Sequence, residues 1–204
     1  MSTSEVKQNL AFEKKALSAK YKFGIEQALA RASFLESSEL IVLQALVIYL
    51  GCIWSQDEGR TGCVLTRLAI GIAEWMGLHR DGSNFGLPPF ECEMRRRLWW
   101  LLCVLDSRNA ERYRTRTIIS VDSFDTKVPL NINDEDIDVD AVVAPVPRKG
   151  FTDMTSALLA TDIFSAVNRL QKRGYEGANI EGESSSAASF FFTCFGHFKK
   201  IFYY

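Results

Sequence analysis

Two neighbouring stretches decide the fold: Gly77-Leu78-His79-Arg80-Asp81-Gly82-Ser83, and Glu91 to Asp106, which reads ECEMRRRLWWLLCVLD. The second stretch has apolar residues at three- and four-residue steps, the repeat that places side chains on one face of an α-helix. These residues are Met94, Leu98, Leu101, Leu102 and Leu105, and Trp99 and Trp100 widen their face. So broad an apolar stripe predicts a helix that packs against several others.

Three consecutive arginines, Arg95 to Arg97, lie within this predicted helix. They fan over roughly 200° at 3.6 residues per turn, so at least one should approach the packed face and need a carboxylate or carbonyl partner there. Glu91 with Arg95 and Glu93 with Arg97 are i,i+4 pairs in the better orientation. We therefore favour a solvated face with salt bridges over a nuclear-import or phosphate-binding role.

The bulk composition bounds the class of protein. With 204 residues and 47% hydrophobic residues, the chain can form one or two domains with a real core. Its formal net charge of −1 argues against a free-standing DNA-binding domain, which would normally be basic. Residues 91–116 hold seven Arg against four acids, and residues 122–140 hold seven acids against one Lys. This asymmetry predicts ion pairing between the two segments.

Targeting and redox signals are sparse. The first residues have no apolar core of the signal-peptide kind, and the run from Leu40 to Trp54 is too short to span a membrane. We therefore expect an intracellular protein with no membrane partner. Five cysteines, an odd number without paired spacing, predict reduced core thiols and not disulfides or a metal site.

Helical periodicity predicts an all-α fold. The predicted helices cover about 5–22, 24–36, 40–54, 61–76, 91–112 and 152–172. Gly77 should end the fourth helix. Ser37 or Ser38 should cap the third helix, and Thr152 or Asp153 the last one. The expected inward residues are Ile25, Ala28, Leu29, Ala32, Leu35, Val64, Leu65, Leu68, Ile72 and Met76, and the last helix has an apolar set of Leu158, Leu159, Ile163, Val167 and Leu170. Residues 113–150, rich in Pro, Asn and Asp, predict an irregular acidic segment.

The domain organisation follows from these patterns. We predict a helical lead-in at 1–24, a multi-helix domain at 25–172, a Gly/Ser-rich linker at 173–189 and an aromatic tail at 190–204. The tail holds eight aromatic residues in fifteen, which suggests a gene-model artefact more than an amphipathic membrane anchor.

Several catalytic and metal motifs fail on inspection. His79-Arg80-Asp81 copies the start of the kinase catalytic loop, but Gly82 follows and the other kinase motifs are absent. His79 with Cys63 and Cys92 lacks zinc-site spacing, and the acidic run 131–136 lacks the ligand spacing of a calcium loop. Asx-turns and a helix cap explain that run better. We predict no enzyme activity and no cofactor in this chain.

As an ordered set, the motifs resemble the fungal-specific transcription factor domain, the middle homology region of zinc binuclear cluster factors. The matching pieces are Ala28–Leu35, Gln44–Leu46, Ala69–Gly82, Pro89–Glu91, Glu93–Trp100, Asp106, Ala110–Glu111, Phe124–Thr126, Pro129, Asn131–Asp134 and Thr152–Met154. The motif residues to which we assign a structural or regulatory role are Gly77, Leu78, His79, Arg80, Asp81, Glu93, Arg95, Arg96, Arg97, Trp99, Trp100, Asp106, Asp125 and Pro129.

The resemblance implies a nuclear protein that regulates transcription by RNA polymerase II, with no catalytic residues. It also implies homo- or heterodimers with related factors. The six-cysteine cluster that binds zinc and reads DNA in the family is not found among these 204 residues. DNA and zinc are therefore expected only in a longer form that carries such a cluster.

Two alternatives stay open at this stage. A small-molecule-sensing module could use a cleft lined by Trp54, Trp75, Phe90, Trp99 and Trp100 and capped by the arginines. A dimerisation-only module without DNA binding could instead titrate full-length partners.

Overall fold

Five α-helices make up most of the chain that the structure, a computed structural model, describes: residues 14–54 and 59–172. They are α1 (Lys14–Arg31), α2 (Leu40–Trp54), α3 (Gly59–Trp75), α4 (Pro89–Tyr113) and α5 (Thr155–Lys172). Two short 3-10 turns, Gly82–Phe85 and Asp134–Asp136, lie in the connections. These described residues contain no β-strand, so the all-α prediction is confirmed. None of the helices described is long and apolar enough to cross a membrane.

Helix α4 is the centre of the fold, as its sequence predicts. It begins with Pro at its first position, where no intrahelical N–H bond is lost, and ends where Arg114 adopts a left-handed conformation (φ 51°). It contacts α2, α3 and α5, and every residue from Arg96 to Asp106 is buried. Each fully buried Leu along it contributes about 1.5–3 kcal/mol of transfer free energy.

Helix α2 packs between α1, α3 and α4 and supplies the second part of the core. Its buried residues include Leu43, Leu46, Val47, Tyr49 and Leu50. The central position predicted from its apolar sequence is therefore confirmed for this face, although Ile41 is exposed. Ser37 accepts a hydrogen bond from the Glu39 N–H at 3.2 Å, so it orders the turn just before the helix and does not cap an N–H of the first helical turn, as had been predicted for Ser37 or Ser38.

The first helical boundary in the sequence prediction is wrong. Helix α1 runs without a break through the predicted gap at residue 23, because a single Gly24 weakens a helix without ending it. It stops at Arg31, and residues 32–36 form turns. Leu29 is buried, but Ala28, Ala32 and Leu35 are exposed. Residues 5–13 of the predicted first helix lie outside the described residues.

The predicted inward face of α3 is rotated from the one observed. Val64 is exposed and Leu65, Leu68, Ile72 and Met76 are only half-buried. Leu65, Ile72 and Met76 pack against the edge of the core, but the fully buried face carries mostly small residues: Gly62, Thr66, Ala69, Ile70 and Ala73. Small side chains let neighbouring helices approach closely, and Thr66 satisfies its hydroxyl by donating to the Gly62 carbonyl at 2.8 Å.

Helix α5 shows a similar rotation. Leu159 and Ile163, part of the predicted apolar set, are exposed, whereas Ala157, Ala160 and Phe164 are buried against α4. The Thr152 hydroxyl accepts from the Met154 N–H at 3.2 Å and so caps the turn that opens the helix. The tail at 190–204 and the linker at 173–189 lie outside the described residues.

The segment between α4 and α5 is irregular, as predicted, and it crosses α4 as a strap (residues 118–134). Its acidic run forms the second 3-10 turn, where the Asn133 N–H donates to Asp136 at 2.8 Å. The Asp153 N–H donates in turn to the Asn133 side chain at 3.1 Å. The predicted turn-and-cap explanation of this run is thus confirmed.

Candidate functional site

The family-type motif residues meet where the α3–α4 loop, helix α4 and the strap come together. Helix α3 is followed by Gly77 at φ 75°, a left-handed conformation that residues with a side chain rarely adopt. Arg95 reaches across and donates to the Met76 carbonyl at 2.7 Å, so a cation satisfies a carbonyl at the end of α3. The predicted stop at Gly77 is confirmed, and the turn buries Leu78 completely.

Asp81 is the centre of the first polar cluster. It is 0% exposed, and Arg96 donates to both of its oxygens, each at 2.8 Å. The Ser83 hydroxyl and N–H and the Lys127 N–H donate to the same carboxylate. Burial by itself raises the pKa of Asp81, but these hydrogen bonds outweigh it and hold the pKa well below its ordinary value. Asp81 is therefore a fixed anion that joins three segments of the chain.

Glu93 and Arg97, which lie one helical turn apart on α4, form a second polar cluster. Both are 1% exposed, and Arg97 donates to Glu93 at 3.0 Å and to Asp134 at 2.9 Å. The Leu130 N–H bridges both Glu93 oxygens at 3.2 Å. The pairing predicted between the basic helix and the acidic segment is confirmed by Arg97 and Asp134.

The prediction of a solvated arginine face is wrong for Arg96 and Arg97. Both guanidinium groups are buried beneath the strap. Arg96 pairs with Asp81 and Arg97 with Glu93, and backbone N–H groups of the strap donate to these same carboxylates. Burial of charge on this scale is tolerated only with paired, hydrogen-bonded groups. Arg95 alone is half-buried, and its partner in the structure is a carbonyl.

Asp125 fastens the strap to the α3–α4 loop. It accepts from the Asp81 N–H at 2.7 Å and pairs with Arg80 at 2.9 Å, and its own N–H donates to the His79 carbonyl at 3.0 Å. The neighbouring Thr126 hydroxyl donates to the Leu78 carbonyl at 2.6 Å.

Asp106 fixes the other end of the strap. One of its oxygens, Oδ2, accepts from the Ile118 N–H at 2.6 Å and from the Ile119 N–H at 2.9 Å. Burial raises the pKa of the Asp106 carboxyl, and the two N–H donors oppose that rise. The residue therefore orders the chain just after α4.

An aromatic cluster packs the strap against α4. Phe124 lies edge-on to Trp99 and Trp100, with ring centroids 5.5 and 5.4 Å apart, and Phe164 of α5 contacts Trp100 at 6.0 Å. Trp100 also donates from Nε1 to the Lys127 carbonyl at 2.9 Å. The His79 ring lies 6.2 Å from Trp99. Pro129, two residues after Lys127 in the strap, is also buried.

The residues proposed for a ligand cleft are dispersed. Trp99 and Trp100 are buried in the core, Phe90 is half-buried, and Trp75 is 75% exposed at the end of α3. The side chain of Trp54 lies outside the described residues. The arginines expected to cap such a cleft are engaged with carboxylates and a carbonyl.

The polar side chains at this site hold the loop and the strap in place on α4. Within 14–54 and 59–172, no group of three or more His, Cys, Asp or Glu side chains is arranged to hold a metal ion. Cys92 donates from Sγ to the Leu87 carbonyl at 3.3 Å, and burial raises the pKa of its thiol, so it is a poor nucleophile. The Asp81 carboxylate already accepts several hydrogen bonds and serves to hold the loop and the strap on α4.

Sequence reasoning missed the partners that come from the strap. The backbone N–H groups of Lys127 and Leu130 carry no side-chain signature, so nothing in the sequence assigns them to Asp81 and Glu93. Ser83 had a usable signal, because Ser two residues after Asp is the spacing of a local Asp-centred turn.

An all-helical domain, clamped by buried arginine–carboxylate pairs, is the class of protein that this fold defines. The profile of the fungal specific transcription factor domain matches residues 1–172, and the chain belongs to this family. The family and the relatives described next are transcription factors and not enzymes.

Three relatives illustrate the similarity. The chain is 34% identical over 163 residues to pyriculol/pyriculariol biosynthesis cluster transcription factor 1 of Pyricularia oryzae, covering 80% of this chain and 22% of the relative. It is 32% identical over 192 residues to the aurofusarin cluster transcription factor aurR2 of Gibberella zeae (94% and 28%). It is 34% identical over 180 residues to the C6 finger domain transcription factor hasF of Aspergillus fumigatus (86% and 24%). The chain thus spans about a quarter of the length of these curated relatives. No solved structure matches the chain.

Proposed function

We propose that the chain acts in the nucleus as the regulatory domain of a zinc-cluster-type factor that controls transcription by RNA polymerase II. The observation that carries the proposal is the match to the family across residues 1–172, in which motif residues form two polar clusters where α4, the α3–α4 loop and the strap meet. In this proposal zinc and DNA are bound only by a longer form that contains a six-cysteine cluster.

The electrostatics support a regulatory role and not DNA reading by this part of the chain. The formal net charge is −1, and Arg96 and Arg97 are already neutralised by Asp81, Glu93 and Asp134. Phosphate binding would require free cationic side chains on one face. A buried, paired guanidinium cannot serve in that way without breaking the fold.

The genes under control are proposed to belong to a biosynthetic cluster. Two of the relatives carry the word cluster in their names, one for pyriculol/pyriculariol and one for aurofusarin. Transcript levels of genes adjacent to the locus should change when this gene is deleted or overexpressed. Unchanged transcripts across the neighbourhood would contradict this part of the proposal.

A tethering experiment tests the regulatory role itself. The chain is fused to a heterologous DNA-binding domain in a fungal host, and reporter transcription and nuclear entry are measured. We expect reporter output to differ from that of the DNA-binding domain alone, and Arg96→Ala to abolish the difference because the clamp on Asp81 is lost. Arg116→Ala, an exposed residue after α4, is the matched control and should leave the output unchanged. Exclusion from the nucleus together with an unchanged reporter would refute the role.

A further inference from the structure

Ser83 is a solvent-exposed member of the Asp81 cluster. Its hydroxyl donates to Asp81 Oδ1 at 2.5 Å and accepts from Lys127 Nζ at 2.9 Å. The same Lys127 donates its backbone N–H to Asp81 Oδ2 at 2.9 Å. One exposed hydroxyl therefore joins the α3–α4 loop to the strap, at the surface above the buried pair of Asp81 and Arg96.

The turn that carries Ser83 is open to solvent. Residues 83–86 are all exposed, and the Phe85 side chain next to it is 65% exposed. Exposed turns of this kind are where modifying enzymes reach the chain, because the backbone around them contributes little to the core. The Ser83 hydroxyl is thus within reach of a second protein.

Two cationic side chains flank this hydroxyl. Lys127 contacts it directly, and 61% of the Lys127 side chain is exposed. Arg80 lies three residues before Ser83, with 55% of its side chain exposed, and it pairs with Asp125 of the strap at 2.9 Å. Protein kinases select their substrates partly by such charge patterns. Cations at these positions also suit a phosphate on Ser83.

The buried Asp81 makes this position sensitive to added negative charge. Its carboxylate is 0% exposed and held on both oxygens by Arg96, so it cannot move away from Ser83. A phosphorylated Ser83 has no hydroxyl proton to donate to Asp81, and its phosphate carries roughly 1.5 to 2 negative charges. The two anions repel each other, and Lys127 then pairs with the phosphate, which is more highly charged and more exposed.

We propose that Ser83 is a phosphorylation site and that its phosphate separates the Lys127 part of the strap from Asp81. A protein kinase transfers the γ-phosphoryl group of a nucleoside triphosphate to Ser83 Oγ. The Oγ–P bond forms while the bond from that phosphorus to the bridging oxygen breaks; the nucleoside diphosphate leaves, and the hydroxyl proton passes to the base of the kinase. Neither step depends on the proposed function, because modification and strap release are both measured without a reporter.

The release is confined to the middle of the strap. The Ile118 and Ile119 N–H groups still donate to Asp106, and the Leu130 N–H still donates to Glu93. These contacts lie on either side of Lys127 and involve none of the groups that the phosphate displaces. The domain therefore stays folded while the contact between the strap and the α3–α4 loop opens.

Phosphopeptide mass spectrometry of the full chain, expressed in a fungal host, tests the modification. We expect phosphate on the peptide that contains Ser83, its loss after phosphatase treatment, and a several-fold lower occupancy in Arg80→Ala, which removes the cationic flank. Ser38, an exposed serine in the turn before α2 with Glu39 beside it, is the matched control and should stay unmodified. A chain in which Ser83 carries no phosphate overturns the proposal.

Hydrogen exchange of the full chain with phosphoserine incorporated at position 83 tests the release of the strap. The Lys127 amide, which donates to Asp81, should exchange at least about tenfold faster than in the unmodified chain. Ser83→Ala removes the hydroxyl without adding charge, so its effect should be smaller. Phosphoserine at position 38 should leave this exchange unchanged, and melting temperatures establish that each form is folded.

The rate at Lys127 separates the possible results. Unchanged exchange in the phosphorylated chain overturns the release. Slower exchange also overturns it, because the phosphate would then bind Lys127 and Arg80 and tighten the strap. Equal acceleration in Ser83→Ala and in the phosphorylated chain assigns the effect to the lost hydroxyl, and it overturns the role of the added charge.

Discussion

Arg96 and Asp81 form a two-point ion pair in which Nε and Nη2 each lie 2.8 Å from a different carboxylate oxygen. Asp81 has no exposed surface, and it also accepts from the Lys127 N–H of the strap. The pair therefore links α4, the loop before it and the strap after it. Geometry of this two-point kind is specific to arginine, since lysine offers a single point charge.

Replacing Asp81 by Asn should destabilise the domain by about 3–5 kcal/mol, the range for leaving one partner of a buried ion pair uncompensated. Urea denaturation measures the loss, and Asp162→Asn on the exposed face of α5 should change the free energy of unfolding by less than about 0.5 kcal/mol. Because the folded state holds the pKa of Asp81 below its ordinary value of 3.8, this contribution is present above that pH and declines as the pH falls below it. The variant should lack that acid decline. Equal stability of the two Asn variants would contradict the central role of this pair.

Asp106 should give the free energy of unfolding the opposite dependence on pH. Burial raises the pKa of Asp106 above 3.8 in the folded state, so its protonated form favours folding at low pH and this contribution is lost as the pH rises through the folded pKa. In Asp106→Asn that decline should be absent, because an amide oxygen can still accept from the Ile118 and Ile119 N–H groups without ionising. Urea denaturation from pH 4 to about 7 measures the difference between the variant and the wild type. A difference that stays constant over this range would show that Asp106 does not titrate as stated.

Trp100→Phe should cost about 2 kcal/mol or more, because it removes apolar contacts with Phe124 and Phe164 and leaves the Lys127 carbonyl without its donor. Trp75→Phe is the control, since that ring is mostly exposed, and it should be near neutral. Thermal unfolding followed by circular dichroism compares the two. A comparable loss in both would place Trp75 against a surface that the described residues do not supply.

Two glycines give a matched test of backbone conformation. Gly77→Ala should destabilise by about 1–2 kcal/mol, the cost of a left-handed conformation for a residue with a side chain. Gly71→Ala lies in α3, where an added Cβ meets nothing within 4 Å, and it should stabilise by about 0.5–1 kcal/mol. The signs should therefore differ in urea denaturation. Stabilisation by both substitutions would mean that the turn at Gly77 does not need its left-handed conformation.

Local patterns in the sequence predicted local structure well. The span of α4, the stop at Gly77 and the turn in the acidic run all depend on residues within a few positions of one another. The break at residue 23 failed because a lone glycine costs only about 1 kcal/mol in a helix, less than the surrounding turns contribute.

Helix faces were predicted less well. In α3 and α5 the sequence has apolar residues on more than one side. Large apolar residues such as Val64 and Leu159 were predicted to face the core, but they are exposed. The observed packing uses Ala69, Ala73 and Ala160 instead, because small residues allow helices to approach closely. Periodicity does not report which of two apolar faces has a partner of matching shape.

The sequence by itself determined the all-α class, the central helix and the family, because these rest on periodicity, turn chemistry and an ordered set of short motifs. Only the tertiary structure decided whether the arginines are buried or exposed. Arg96 and Arg97 are buried because a strap some thirty residues later in the chain brings the Lys127 and Leu130 N–H groups to their carboxylate partners. A backbone donor has no residue-specific signature, so contacts of this kind become visible only when the chain has folded.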